Sequence, residues 1–117
     1  MDITITVEAK LEMGQGNIYG TALMGYMPAG TYYKDLVRVF GEPQSGRSPD
    51  GKIQVEWYGH INGQVFTIYD YKTSVIPKDN IDWHIGSHDK MTAALVIAYF
   101  IAARKALKGR RKHHESK

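Results

Sequence analysis

The amino-acid sequence predicts an α+β fold: an antiparallel β-sheet with a short inserted helix and a long C-terminal helix, oligomeric through that last helix. Three observations carry this. Residues 3–11 alternate apolar and polar with a period of two. Two strand-like runs, KIQVEWYG and QVFTIYDYK, flank Asn62-Gly63, the preferred pair for a type I′ hairpin turn. From Met91 to Ala103 the chain is almost uniformly apolar and set in helix-forming sequence. With 117 residues, 43% hydrophobic and 23% charged, the composition is that of one globular domain rather than a disordered, collagenous or purely coiled-coil chain.

The elements follow in order. Ile3, Ile5, Val7, Ala9 and Leu11 face one way and Thr4, Thr6, Glu8, Lys10 and Glu12 the other, a half-buried strand over 2–12. Gly14 and Gly16 mark a turn. A second strand spans about 17–27, with Gly20 and Gly25 at bulges or close approaches. Thr31 reads as a helix N-cap, Tyr33, Leu36, Val37 and Phe40 form one helical face, and Gly41 ends it. EPQSGRSPDG, residues 42–51, is a loop. With Asn62-Gly63 as the turn, Trp57 opposes Ile68, Gly59 opposes Phe66 and Val55 opposes Asp70 on the core side. Glu56 with Tyr69, Tyr58 with Thr67 and Gln54 with Tyr71 line the other face. Asp70 falls on the apolar side, so it needs a partner. Trp83-His84-Ile85-Gly86 is a short extended piece, and Ser87 reads as the cap of a helix over 87–108. One short second helix covers only part of that helix's apolar surface, which predicts a homodimer or higher homo-oligomer. The run is shorter than the roughly 20 residues of a membrane span, so no membrane insertion is expected.

Charge divides the chain. Residues 1–103 hold eight Lys/Arg against eleven Asp/Glu, and residues 104–117 hold seven against one. This predicts a single domain over 1–109 and a basic tail over 110–117. A basic tail attracts phosphates of any source, or is simply a solvated terminus. Cysteine is absent, which excludes disulfides, thiolate-bound metals and a cysteine nucleophile. MDITITVEAK lacks a basic leader with an apolar run, so a cytoplasmic location is expected.

Catalytic signatures are missing: no G-x-S-x-G, P-loop or G-x-G-x-x-G, and no evident carboxylate pair. Binding is expected rather than catalysis, with no cofactor. His84 and His88 are four apart across a glycine, a spacing that makes only a weak metal case, and no metal site is expected. Two features suit an anion. A helix starting at Ser87 offers free N–H groups, a hydroxyl and His88, with ordinary capping as the alternative. Phe100, Arg104 and Lys108 fall on one helical stripe, where Arg104 and Lys108 form a phosphate clamp or a solvated helix end. Tyr58, Tyr69 and Tyr71 on the non-core hairpin face offer rings on which a base stacks, or cover a second layer.

Together these residues bring out a family resemblance. Gly30-Thr31-Tyr32, Leu36-Val37, Phe40-Gly41-Glu42-Pro43, Lys52-Ile53, Glu56-Trp57, Asn62-Gly63, Thr67 to Lys72 and Trp83-His84-Ile85-Gly86, followed by the final helix, resemble small phage proteins of the first Thoeris anti-defence type. The resemblance covers about residues 30–108 and lies in order and spacing. It implies a sponge that sequesters cyclic ADP-ribose isomers, and in some members cyclic oligonucleotides, without cleaving them, in the cytoplasm of an infected bacterium. It also implies a ligand site at a subunit boundary, with Arg104 and Lys108 at the family's basic positions and Ser87 at its polar one. Lys108 stands where a second arginine is expected, and Ser87 where Asn is frequent, which alters the clamp's geometry. An antiparallel partner helix would bring Arg104 and Lys108 of one chain to Ser87 and His88 of the other, with Tyr71 as base platform. The other reading is a small nucleic-acid-binding protein using the basic tail and exposed tyrosines.

Overall fold

A computed structural model describes residues 9–46, 48–71 and 82–115, with side chains as far as 107 in the last span. Residues 2–8 of the predicted first strand lie outside the described residues; its end is β1, Leu11–Met13. The other elements are β2 (Ala22–Tyr26), α1 (Tyr33–Phe40), β3 (Glu56–Ile61), β4 (Gln64–Tyr69), β5 (His84–Ser87) and α2 (Lys90–Glu115). The five strands form one antiparallel sheet in the order β1-β3-β4-β5-β2. The expected α+β architecture, with an early short helix and a long C-terminal one, is present.

The hairpin register is the one the turn dictates. Trp57 pairs with Ile68, Gly59 with Phe66 and Glu56 with Tyr69. Asn62 at φ 50° and Gly63 at φ 80° both take the left-handed conformation of a type I′ turn. A Cβ at residue 63 would meet nothing within 4 Å, so backbone strain alone opposes a side chain there. Gly63→Val is therefore expected to destabilise by about 1 kcal/mol or more. A melting temperature equal to that of the parent would contradict this turn.

One face of the sheet packs on both helices. Trp57, Phe66, Ile68 and Ile85 from the strands bury against Leu36 and Phe40 of α1 and Ala93, Val96 and Phe100 of α2. Gly25 lets α2 approach β2, since a Cβ there would lie 3.4 Å from that of Ala93. Asp70 has its expected partner: its Oδ1 accepts the N–H groups of Gln54 at 2.9 Å and Val55 at 3.0 Å.

Three details differ from the sequence reading. Tyr32, not Thr31, is the N-cap of α1; Thr31 is buried and its hydroxyl donates to the Pro28 carbonyl. Asp35 inside the first turn takes over the capping role, its carboxylate accepting the Tyr32 N–H at 3.0 Å. Ser87 is not the cap of α2 but the last residue of β5, paired with Ala22 and Phe66. The cap is Asp89, whose Oδ1 accepts the Thr92 N–H at 2.7 Å. The helix also continues past 108, through Gly109 to Glu115. A glycine inside a helix costs only about 1 kcal/mol, and the basic residues that follow suit a helix C-terminus. As expected, one chain covers α2 only in part: Met91 is 77% exposed and Ile101 46%.

Candidate functional site

Side chains alternate along a strand, so the residues between the core positions point to the face away from the helices. The register lines four of them up in a row across the sheet: Glu56 beside Tyr69, Tyr69 beside His84, and His84 beside Tyr26. Tyr71, just past β4, joins them. The His84 ring lies 4.9 Å from Tyr26 edge-on, 5.4 Å from Tyr69 and 5.6 Å from Tyr71. Three phenol rings thus surround one imidazole. Tyr26 keeps 51% of its surface exposed and Tyr71 41%, so both present ring area to a ligand.

A carboxylate ends the row. Glu56 is half-buried, and its Oε2 accepts the Thr67 hydroxyl at 2.5 Å. Among the described residues no cation pairs with it. Burial pushes its carboxyl above the ordinary range; the Thr67 hydrogen bond pulls the other way, and the negative charge of Asp70 adds to the rise. Tyr69 is raised too, first by burial and then by Glu56, Tyr26 and Tyr71. For Glu56 the folded value exceeds the unfolded one. Its contribution to stability is therefore present below the ordinary glutamate range and is lost as pH rises through the raised value. Glu56→Gln keeps an acceptor for Thr67 and removes that loss. It is expected to raise the melting temperature at neutral pH and to close the gap as pH falls below the glutamate range. A variant less stable than the parent at neutral pH would contradict this.

Such an arrangement is chemically suited to a planar group. Exposed phenol faces stack on a heterocycle, the hydroxyls and imidazole give and take hydrogen bonds, and the carboxylate accepts from a donor edge.

The other sequence-predicted residues lie elsewhere. Ser87 is fully buried on the core face, and its hydroxyl donates to the Asp89 carbonyl at 2.6 Å. His88 is exposed in the turn between β5 and α2, near Gly20. Asp89 puts a carboxylate on the helix N-terminus, the place an incoming anion would take. Arg104 lies in the helix layer: its guanidinium stands 4.8 Å from the centre of the Phe100 ring and 3.8 Å from Asp35 Oδ2. It ties α2 to the first turn of α1. Lys108 is within α2, and its side chain is outside the described residues. Arg104 and Tyr71 are therefore on opposite sides of the sheet. A partner packed on α2 would lie on the helix side as well, so pairing through α2 would not by itself bring Tyr71 to the helix end and the cationic stripe.

The sequence reading joins neither Tyr26 nor His84 to this face; it weighs His84 only as a weak metal ligand with His88. The alternation around Trp83 and Ile85 already sets His84 opposite the core. What it lacks is the neighbour relation of β5 to β4 and β2, which is set by non-local pairing. Among the described residues there is no cluster of three or more metal-ligating side chains, and no helix is long and apolar enough to cross a membrane. No protein-family model, curated protein or solved structure matches the chain.

Proposed function

We propose that the chain is a non-catalytic sponge that sequesters a cyclic nucleotide signal, of the cyclic ADP-ribose kind, by stacking its base on the outer face of the sheet. The observation that carries this reading is the pair of half-exposed rings, Tyr26 and Tyr71, held against His84 and Tyr69. Stacking a base on one such ring contributes about 1–3 kcal/mol. The resemblance to phage anti-defence proteins supports the same ligand class and an action inside the infected bacterial cell.

The test is retention. The purified protein is mixed with synthetic cyclic ADP-ribose isomers, freed of unbound ligand, heated, and the released material identified by mass spectrometry. An isomer recovered intact supports sequestration. A hydrolysed product, or nothing retained, contradicts it. Binding to any long polyanion, with affinity falling steeply in salt, would instead favour nucleic acid held by the basic end of α2.

The sponge is proposed to act as a homodimer through α2. Met91, Ala94, Ala98 and Ile101 follow one another at helical spacing along the side of α2 turned from the core, and Met91 and Ile101 are the large apolar residues among them. Antiparallel pairing sets the Asp89 end of one helix beside Arg104 and Lys105 of the other, while parallel pairing sets like charges together. Ile101→Glu is expected to turn dimers into monomers in light scattering. A parent protein that is monomeric at micromolar concentration would overturn the dimer.

A further inference from the structure

The tyrosine row has a polar end that stacking does not use. Glu56 stands beside Tyr69 on the outer face, and Tyr69 in turn stands beside His84. Of the two exposed phenols, Tyr71, two residues beyond Tyr69, is the one near this carboxylate; Tyr26 lies three strands away, roughly 14 Å at about 4.8 Å per strand. Thr67 fills one acceptor position of Glu56, and among the described residues no lysine or arginine neutralises it. A half-buried carboxylate with unused acceptor capacity is matched by a ligand that brings N–H donors in its own ring plane.

We propose that Glu56 is a specificity residue, accepting a hydrogen bond from the exocyclic amine of a purine stacked on Tyr71. The proposal rests on the stacking site proposed above and names what that site reads. A carboxylate accepts from the amino group of adenine or guanine. It has no such partner on unsubstituted purine, which lacks the 6-amino group of adenine and both the N1–H and the 2-amino group of guanine. Losing a hydrogen bond to a buried charged group discriminates strongly, because the group is left unpaired in the wrong complex.

The Glu56 carboxylate also works against the fold, as its raised ionisation shows. A side chain that ionises at a cost in stability at the end of the proposed binding face fits a trade of stability for recognition. This yields a pair of opposed effects that a purely structural glutamate would not give: Glu56→Gln stabilises the protein and weakens its selectivity.

The experiment titrates the intact protein with adenosine, guanosine and purine riboside, read by saturation-transfer NMR or calorimetry. Either adenosine or guanosine is expected to bind at least tenfold more tightly than purine riboside, and which of the two prevails identifies the base. In Glu56→Gln, an uncharged acceptor, that ratio is expected to fall at least threefold, the loss falling on the amine-bearing nucleoside. Equal affinity for the three nucleosides in the parent protein, an undiminished ratio in Glu56→Gln, or no nucleoside binding at millimolar concentration would each overturn the proposal. The parent comparison does not depend on how the variant folds. Nucleoside selectivity without retention of cyclic ADP-ribose isomers would leave the amine-reading role of Glu56 standing and reject the sponge. Retention with no preference for the amine would do the reverse.

Discussion

Replacing Asp70 with Ala is expected to cost the fold about 3–5 kcal/mol, since each buried N–H left without an acceptor costs about 1–3 kcal/mol and the methyl group fills none of the space. Asp70 is fully buried at the end of the central hairpin. Its Oδ1 takes the N–H groups of Gln54 and Val55, two donors that precede β3. The carboxylate acts there as a side-chain continuation of the sheet. Asp70→Asn keeps an Oδ1 acceptor and is expected to lose well under half as much. Urea unfolding checks both. A midpoint for Asp70→Ala close to the parent's would show that the two N–H groups find other partners.

Phe100→Ala is expected to be comparably severe, about 3–5 kcal/mol, the range for a large aromatic removed from a core that cannot fully collapse. Phe100 is fully buried, stacked on Phe40 of α1 with ring centres 6.1 Å apart, and lies beneath the Arg104 guanidinium. Removing the ring takes away the contact between the helices and the seat of Arg104, and so loosens the Arg104–Asp35 pair at the start of α1. Thermal unfolding should show a single transition at a much lower temperature. A loss below about 1 kcal/mol would mean that the two helices are held mainly by other contacts.

Local chemistry made the hairpin, the α1 stop at Gly41 and the buried Asp70 readable from sequence. Asn62-Gly63 sets a register, the register sets two faces, and the faces set which way the side chains from Glu56 to Tyr69 point. The start of α2 was misread because Ser87 and Asp89 are equally good caps, and only the pairing of Ser87 with Ala22 and Phe66 decides between them. Helical spacing puts Arg104 one turn beyond Phe100, which suits a phosphate clamp and a solvated helix end alike. The sequence does not show that Asp35, far away in the chain, is brought beside it. Tyr71 and Tyr69 were legible as an outward face. Tyr26 and His84 were not joined to them, because the sheet order β4-β5-β2 comes from long-range pairing with no local signature.

The central claim is that a nucleotide signal is held on the outer tyrosine face. Equilibrium dialysis of a cyclic ADP-ribose isomer against the parent protein and a Tyr26→Ala, Tyr71→Ala double variant tests it most directly. Both rings are half-exposed, so the double variant is expected to keep its fold and melting temperature nearly unchanged. Its affinity is expected to fall at least tenfold, as the loss of about 1–3 kcal/mol per stacked ring requires. Undiminished retention by the folded double variant would place the ligand elsewhere and contradict the account.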